Sequence, residues 1–423
     1  MTSPRSPSLP IIALIILSVF TALAPARGAE PLSWNFDLTQ MTATDTFTPQ
    51  RGHGFDLKTR PDPITNAPFY FSVALPEGSY RVTVVFGDAR SASDNTLKAE
   101  SRQLLLERLT TKPGEFVTRD FIVNVRNRQV PAPEKNAPGG SAVVLNDREA
   151  GILRWDDKLT LEFNGSQPRV RSVSIVRATV PVVFLAGDST VTDQPYEPGA
   201  SWGQMLPRFF KPEIAIANHA ESGETLKSFI TGLRLAKILS QMKSGDYLFI
   251  QFGHNDEKKN WPQTYVEAHT TYKAYLKAFV AEARLRGATA VLVTPVQRRN
   301  FDDAGRIKNT HGDYPAAVRE VAREENVALI DLEAMSITFY EALGPTRSPL
   351  AFSNGGKDAT HHNNYGAYEL ARCVLKGVQD ARLPLATFIA NDVTPFDPAH
   401  PDSPDTFALP PSPTSSNLAP RGN

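Results

Sequence analysis

Cysteine is almost absent: the 423-residue chain has one, Cys373. A single thiol cannot close an internal disulfide and excludes cysteine-built zinc sites, so the fold must rest on its core. The 41% hydrophobic content supplies one. Cys373 itself lies in a helical pattern and is expected to pack rather than react. An excess of charge is also lacking. Lys plus Arg and Asp plus Glu both count 45, so the chain has no basic footprint for nucleic acid. Neither a His-Glu-x-x-His zinc helix nor a phosphate-binding loop ending in Lys-Ser/Thr occurs. The N-terminal apolar run IIALIILSVFTALA stops at 14 residues, short of the ~20 that span a membrane.

That run is nevertheless informative. Arg5 precedes it, and the small-residue stretch APARGAE follows. This layout predicts a secretory leader over 1–29, with the mature chain in periplasm or medium. No cysteine follows the leader to carry a lipid anchor, so no membrane partner is expected after cleavage. A monomer is expected.

Residues 30–179 show short alternating runs between Gly/Pro turns. In FYFSVALPEGSYRVTVVFGD, Tyr80, Val82, Val84 and Phe86 alternate with other residues, and FVTRDFIVNVR and KLTLEFNG behave alike. Such runs predict an antiparallel β-sandwich. From Val182 the pattern changes to continuous apolar strands: VVFLA, IAIAN, YLFIQF, AVLVTP and VALIDL. Amphipathic segments separate them; the clearest, 264–287, carries Tyr272, Leu276, Phe279, Val280 and Ala283 at helical spacing and ends at Gly287. Over 180–391 this predicts an α/β domain whose five-stranded parallel sheet is covered on both faces. The Pro/Ser-rich tail, 392–423, has too few apolar groups for a core of its own and either wraps another part or stays loose. No internal repeat is present.

In open parallel sheets the ligand site lies beyond the carboxyl ends of the strands. Gly187-Asp188-Ser189-Thr190 follows the first strand, NHAESGET the second and GHND the third; KDATHHNNYGA precedes the last helix. A serine hydroxyl becomes nucleophilic only beside a base that a third group holds. Ser189 is the candidate nucleophile, His361 its base and Asp358, three residues earlier, the group orienting that base. His362 is the competing base. Ser189's own amide, Gly223 and Asn255 are candidate donors to a tetrahedral oxyanion. Asp188 and Asp256 are read as turn organisers. An α/β-hydrolase nucleophile elbow fits less well, because its second glycine position holds Val191.

These four blocks, in this order, resemble the SGNH, or GDSL, hydrolases. FLAGDSTVTD, FGHND and DATHHNNYGA are similar to the rhamnogalacturonan acetylesterase branch. The resemblance covers roughly 180–390. It implies a flavodoxin-like three-layer α/β/α domain and hydrolysis of O-acetyl esters on pectic polysaccharide without metal or cofactor. It assigns Ser189, His361 and Asp358 to the triad, with Gly223 and Asn255 as oxyanion donors. The N-terminal region resembles galactose-binding-like sandwiches, which either bind glycan or support the catalytic domain. One departure matters. Where many relatives read Gly-Arg-Ser, this chain reads Gly223-Glu224-Thr225, so a cation is missing beside the site. Arg298 and Arg299 are expected to replace it, with Glu224 and His362 as further substrate contacts. Other acylated glycans such as acetyl-xylan, short-chain esters, and glycan binding without turnover are the alternatives.

Overall fold

The computed structural model describes Met1, residues 33–414 and Ser416. The predicted leader, 1–29, lies outside the described residues apart from Met1. Strands β1 (Ser33–Asp37), β2 (His53–Asp56), β3 (Phe69–Ala74), β4 (Gly78–Phe86), β5 (Ser93–Ala99), β6 (Gln103–Thr111), β7 (Val117–Val125), β8 (Lys158–Gln167) and β9 (Val170–Ala178) build two antiparallel sheets. Their orders are β1-β9-β4-β7 and β2-β3-β8-β5-β6. The predicted alternation decides which face is inside: Tyr80, Val82, Val84 and Phe86 are fully buried and join Phe71, Leu97 and Leu161 in one core. Alternate positions on the second sheet, Ser72, Thr160 and Glu162, are polar and also buried.

The third sheet comprises β10 (Val182–Gly187), β11 (Ala215–Asn218), β12 (Tyr247–Gln251), β13 (Thr289–Val293) and β14 (Ala328–Ile330). All its pairings are parallel, in the order β11-β10-β12-β13-β14. That is the flavodoxin-like order, whose switch point lies between the first and third strands, here β10 and β12. Both faces of β10 are covered. Val183 and Leu185 face a core shared with α1 (Trp202–Met205) and α7 (Asn364–Asp380), whereas Phe184 and Ala186 face α2 (Leu226–Thr231), α3 (Arg234–Gln241), α4 (Lys273–Leu285) and α5 (Tyr314–Glu324). This two-sided burial is why the strand reads as a continuous apolar run. Helix α6 (Leu332–Arg347) completes the set and kinks at Gly344-Pro345.

The helix expected over 264–287 is regular only from Lys273, after a π-turn over Ala268–Tyr272 that Glu267 caps by accepting from the His269 and Thr270 amides. Gly287 ends it with φ +69°. Cys373 is fully buried in α7, packed as expected. Among the described residues no helix is long and apolar enough to cross a membrane.

From Ser33 onward the chain forms one compact unit, and charged side chains from the loops of the first two sheets are buried against the α/β region. Arg102 donates to the carbonyls of Gln194 (3.0 Å) and Gly199 (2.8 Å). Arg126 donates to the Asn218 carbonyl, and Arg234 pairs with Glu149. The tail wraps. Phe407 packs on Tyr365 and Tyr368, while Lys98 Nζ donates to Pro410 O and Ser412 Oγ, both at 2.8 Å. Asn164 Nδ2 donates to Pro411 O at 3.0 Å. The tail thus meets the polar outer face of the second sheet at Lys98 and Asn164.

Candidate active site

Strand β10 ends at Gly187, where the chain must turn at once. A Cβ there would stand 2.5 Å from Val191 Cγ2 and 2.9 Å from Gln251 O, so only glycine fits. The turn is then tied internally. Asp188 Oδ1 accepts from the Thr190 amide (2.9 Å) and hydroxyl (2.8 Å), and the Val191 and Thr192 amides donate to Asp188 O. Asp188 is the turn organiser that its position suggested. Gln251 Nε2 donates to Thr190 Oγ1 (2.6 Å), and Trp202 Nε1 donates to Gln251 Oε1 (2.8 Å). Gln194 Nε2 holds the Ser189 carbonyl at 2.8 Å.

Ser189 Oγ lies 2.9 Å from His361 Nε2, and His361 Nδ1 lies 2.9 Å from Asp358 Oδ2. The other carboxylate oxygen accepts from the amides of Thr360 (2.7 Å) and His361 (2.9 Å). Burial works against the charge on Asp358. The His361 ring and the two amides outweigh it and hold the carboxyl well below the usual carboxylate range. An ionised carboxylate only accepts, so Nδ1 carries the proton and Nε2 presents its lone pair to the hydroxyl. The serine and the imidazole are both nearly excluded from water, at 4% and 2% exposure.

Gly223 adopts φ +85°, a left-handed conformation that glycine takes without strain. Its loop is pinned along β10: the His219 amide donates to Leu185 O and the Glu221 amide to Gly187 O. Asn255 Nδ2 donates to Glu224 O at 3.1 Å, which ties the third block to the second; one of its two amide hydrogens is thereby used. Asp256 accepts from the amides of Leu226 (2.9 Å) and Gly253 (3.0 Å) and so organises the GHND turn.

Among the expected substrate contacts, His362 requires correction. His362 is 1% exposed, bonds the Tyr340 hydroxyl through Nε2 (2.7 Å) and packs on Phe352, so it is neither a base nor a substrate contact. Burial, with the His361 ring beside it, pulls it down to about 3. Arg298 pairs with Glu257 at 2.7 Å. Arg299 donates to Gly356 O (2.6 Å), receives the Phe352 ring and braces the Asp358 loop, its amide bonding Ala359 O. Both guanidiniums are held by internal partners. Glu224 bonds Ser228 Oγ (2.6 Å) and pairs with Arg234 Nε (3.3 Å), yet it also lines an open cavity of about 670 Å³. That cavity is shared with Asn146, Asp147, Arg148, Gln263 and Thr264.

Sequence reading missed several residues. His254 sits 3.4 Å from Asp188 Oδ2 and edge-on to His311, and burial lowers it to about 4. From the N-terminal region, Arg154 reaches the site's loops and Arg148 lines the cavity beside Glu224. His254 lay inside the GHND block without being singled out; no local signal marks the two arginines, because the loops they reach are remote in sequence.

Residues 185–367 match the GDSL-like Lipase/Acylhydrolase family. The rhamnogalacturonan acetylesterase RhgT of Bacillus subtilis (strain 168) is 42% identical over 216 residues, covering 48% of this chain and 91% of that relative. The chain belongs to the GDSL-like lipase/acylhydrolase family. This GDSL hydrolase is a carboxylic-ester hydrolase. It is also similar to the probable rhamnogalacturonan acetylesterase YesY of the same organism, 40% identical over 215 residues, with 50% of this chain and 98% of that one covered. The uncharacterized esterase YxiM, again from Bacillus subtilis, is 25% identical over 400 residues, 86% of this chain and 96% of the relative. A crystal structure of a YxiM protein aligns with TM-score 0.47 and 22% identity, covering 84% of this chain and 99% of that one.

Proposed function

We propose that this hydrolase, exported through the leader predicted over 1–29, removes O-acetyl groups from rhamnogalacturonan-type pectic polysaccharide. The observation that carries the reading is the hydrogen-bonded chain Ser189–His361–Asp358 beyond the carboxyl end of β10. Ser189 Oγ attacks the acetyl carbonyl as its proton passes to His361 Nε2. The oxyanion is received by the amides of Ser189 and Gly223 and by Asn255 Nδ2. Collapse breaks the C–O bond to the sugar, whose oxygen takes the proton back from His361. Water then gives its proton to His361 and attacks the acetyl-serine, releasing acetate and restoring the hydroxyl. Asp358 stays ionised and steadies the imidazolium.

Two features support a glycan over a long acyl chain. Relatives at 42% and 40% identity are named rhamnogalacturonan acetylesterases. The cavity beside Glu224 offers hydrogen-bonding side chains, among them Asn146, Ser228, Gln263 and Thr264. Arg148 in its wall has no carboxylate partner among the described residues, although Asp147 is adjacent. It supplies the cation for a galacturonate carboxylate that Glu224 does not.

Acetate release from acetylated rhamnogalacturonan, with acetylated xylan beside it, tests this. The expected result is preference for the pectic substrate and a loss of about 10⁶ in turnover for Ser189→Ala. Release from xylan alone would overturn the substrate assignment, and full activity of the alanine variant would overturn the mechanism.

A further inference from the structure

Arg154 belongs to the loop between β7 and β8, outside the hydrolase half, and is 2% exposed. Its Nη1 donates to Thr192 Oγ1 and, at 3.4 Å, to Ala220 O; its Nη2 donates to Glu221 Oε2. Thr192 is three residues past Ser189 on the same turn, and its amide bonds Asp188 O. Its hydroxyl donates to Ala220 O at 2.8 Å. Glu221 is two residues before Gly223 and is anchored to β10 through Gly187 O. One guanidinium therefore clamps the turn carrying the serine to the loop carrying the glycine.

A second contact runs beside it. Arg126 holds Asn218 O, while Asn218 Nδ2 donates to Val191 O (2.6 Å) and Asp193 Oδ1 (2.7 Å). Gln103 Nε2 donates to Asp193 Oδ2 at 2.8 Å. The planar fork of Arg154 matches two acceptors on separate loops.

We propose that Arg154 is a positioning residue for the esterase reaction, setting the distance between Ser189 and the Gly223 amide, and that the β-sandwich region is a working part of the active site rather than a detachable glycan-binding module. The proposal rests on Ser189 as nucleophile, which Ser189→Ala tests separately on an aryl acetate whichever glycan is the substrate.

In the full chain, Arg154→Lys keeps the charge but loses the fork. Its kcat on 4-nitrophenyl acetate is expected to fall about 10²-fold, with KM changed less than about threefold, because misplacement by about 1 Å costs that much. Arg154→Met with Glu221→Leu replaces the buried ion pair by apolar groups, which commonly preserves stability. This double variant is expected to melt near the wild type yet remain about 10²-fold slow. Thr192→Val, which removes only the hydroxyl, is expected to slow the reaction in the same kcat-dominated way. Arg81→Met is the interface control: Arg81 also crosses between the two regions, donating to Pro212 O at 2.7 Å, but touches neither loop, and its kcat is expected to stay at the wild-type value. Wild-type kcat in Arg154→Lys, recovery of kcat in the stable double variant, or an equal loss in Arg81→Met would overturn the proposal.

Discussion

Two adjacent histidines take different roles because of what each ring touches. His361 is fixed by a carboxylate on one nitrogen and meets a hydroxyl on the other. His362 is sealed between Tyr340 and Phe352. The Asp-x-x-His spacing distinguished them in the sequence, since only the ring three residues on reaches the carboxylate within one bend. What local sequence did not carry was the fate of Arg298 and Arg299: their partners, Glu257 and Gly356, lie 41 and 57 residues away. His362 has a measurable consequence. Its folded pKa of about 3 lies below the ~6.5 of an unfolded histidine, so between those values the unfolded chain binds a proton that the folded one refuses. Its stabilising contribution is complete above pH ~6.5 and declines as pH falls, by about 2 kcal/mol at pH 5. Buried His254, lowered to about 4, acts in the same direction. The Tm difference between pH 7 and pH 5 is therefore expected to be smaller in His362→Gln than in the wild type. An unchanged difference would mean that His362 is charged in the folded protein.

At the scale of elements, β10 shows most clearly how pattern becomes site. Its continuous apolar run announced a strand buried on both faces, and the abrupt Gly-Asp-Ser-Thr announced a turn at its end. Gly187 joins the two, since Val191 and Gln251 crowd the place where any Cβ would go. Gly187→Ala is expected to displace the turn and lower kcat about 10²-fold in a protein that still folds. Wild-type kcat would show that the turn tolerates a side chain. The sandwich strands were equally legible on their inner face, where Tyr80 to Phe86 alternate. Their outer face was not: Ser72, Thr160 and Glu162 are polar yet buried, and beside Glu162 the remote tail accepts from Lys98 and Asn164.

For the whole molecule, the tail is the part its composition described least. Prolines leave carbonyls without competing amides, and Pro410 and Pro411 offer theirs to Lys98 and Asn164. Phe396, Phe407 and Leu409 pack against the hydrolase core. Ending the chain at 391 removes these contacts and two acceptors of a buried ammonium. Tm is expected to drop on the order of 5 °C, and an unchanged Tm would show the strap to be idle.

The central claim is that folding turns Ser189 into a nucleophile by placing His361 against it. A fluorophosphonate probe followed by peptide mass spectrometry tests it most directly. The account predicts one adduct, on the peptide bearing Ser189, whose formation is abolished in His361→Ala. An adduct on another residue, or labelling of Ser189 at the wild-type rate without the imidazole, would contradict it.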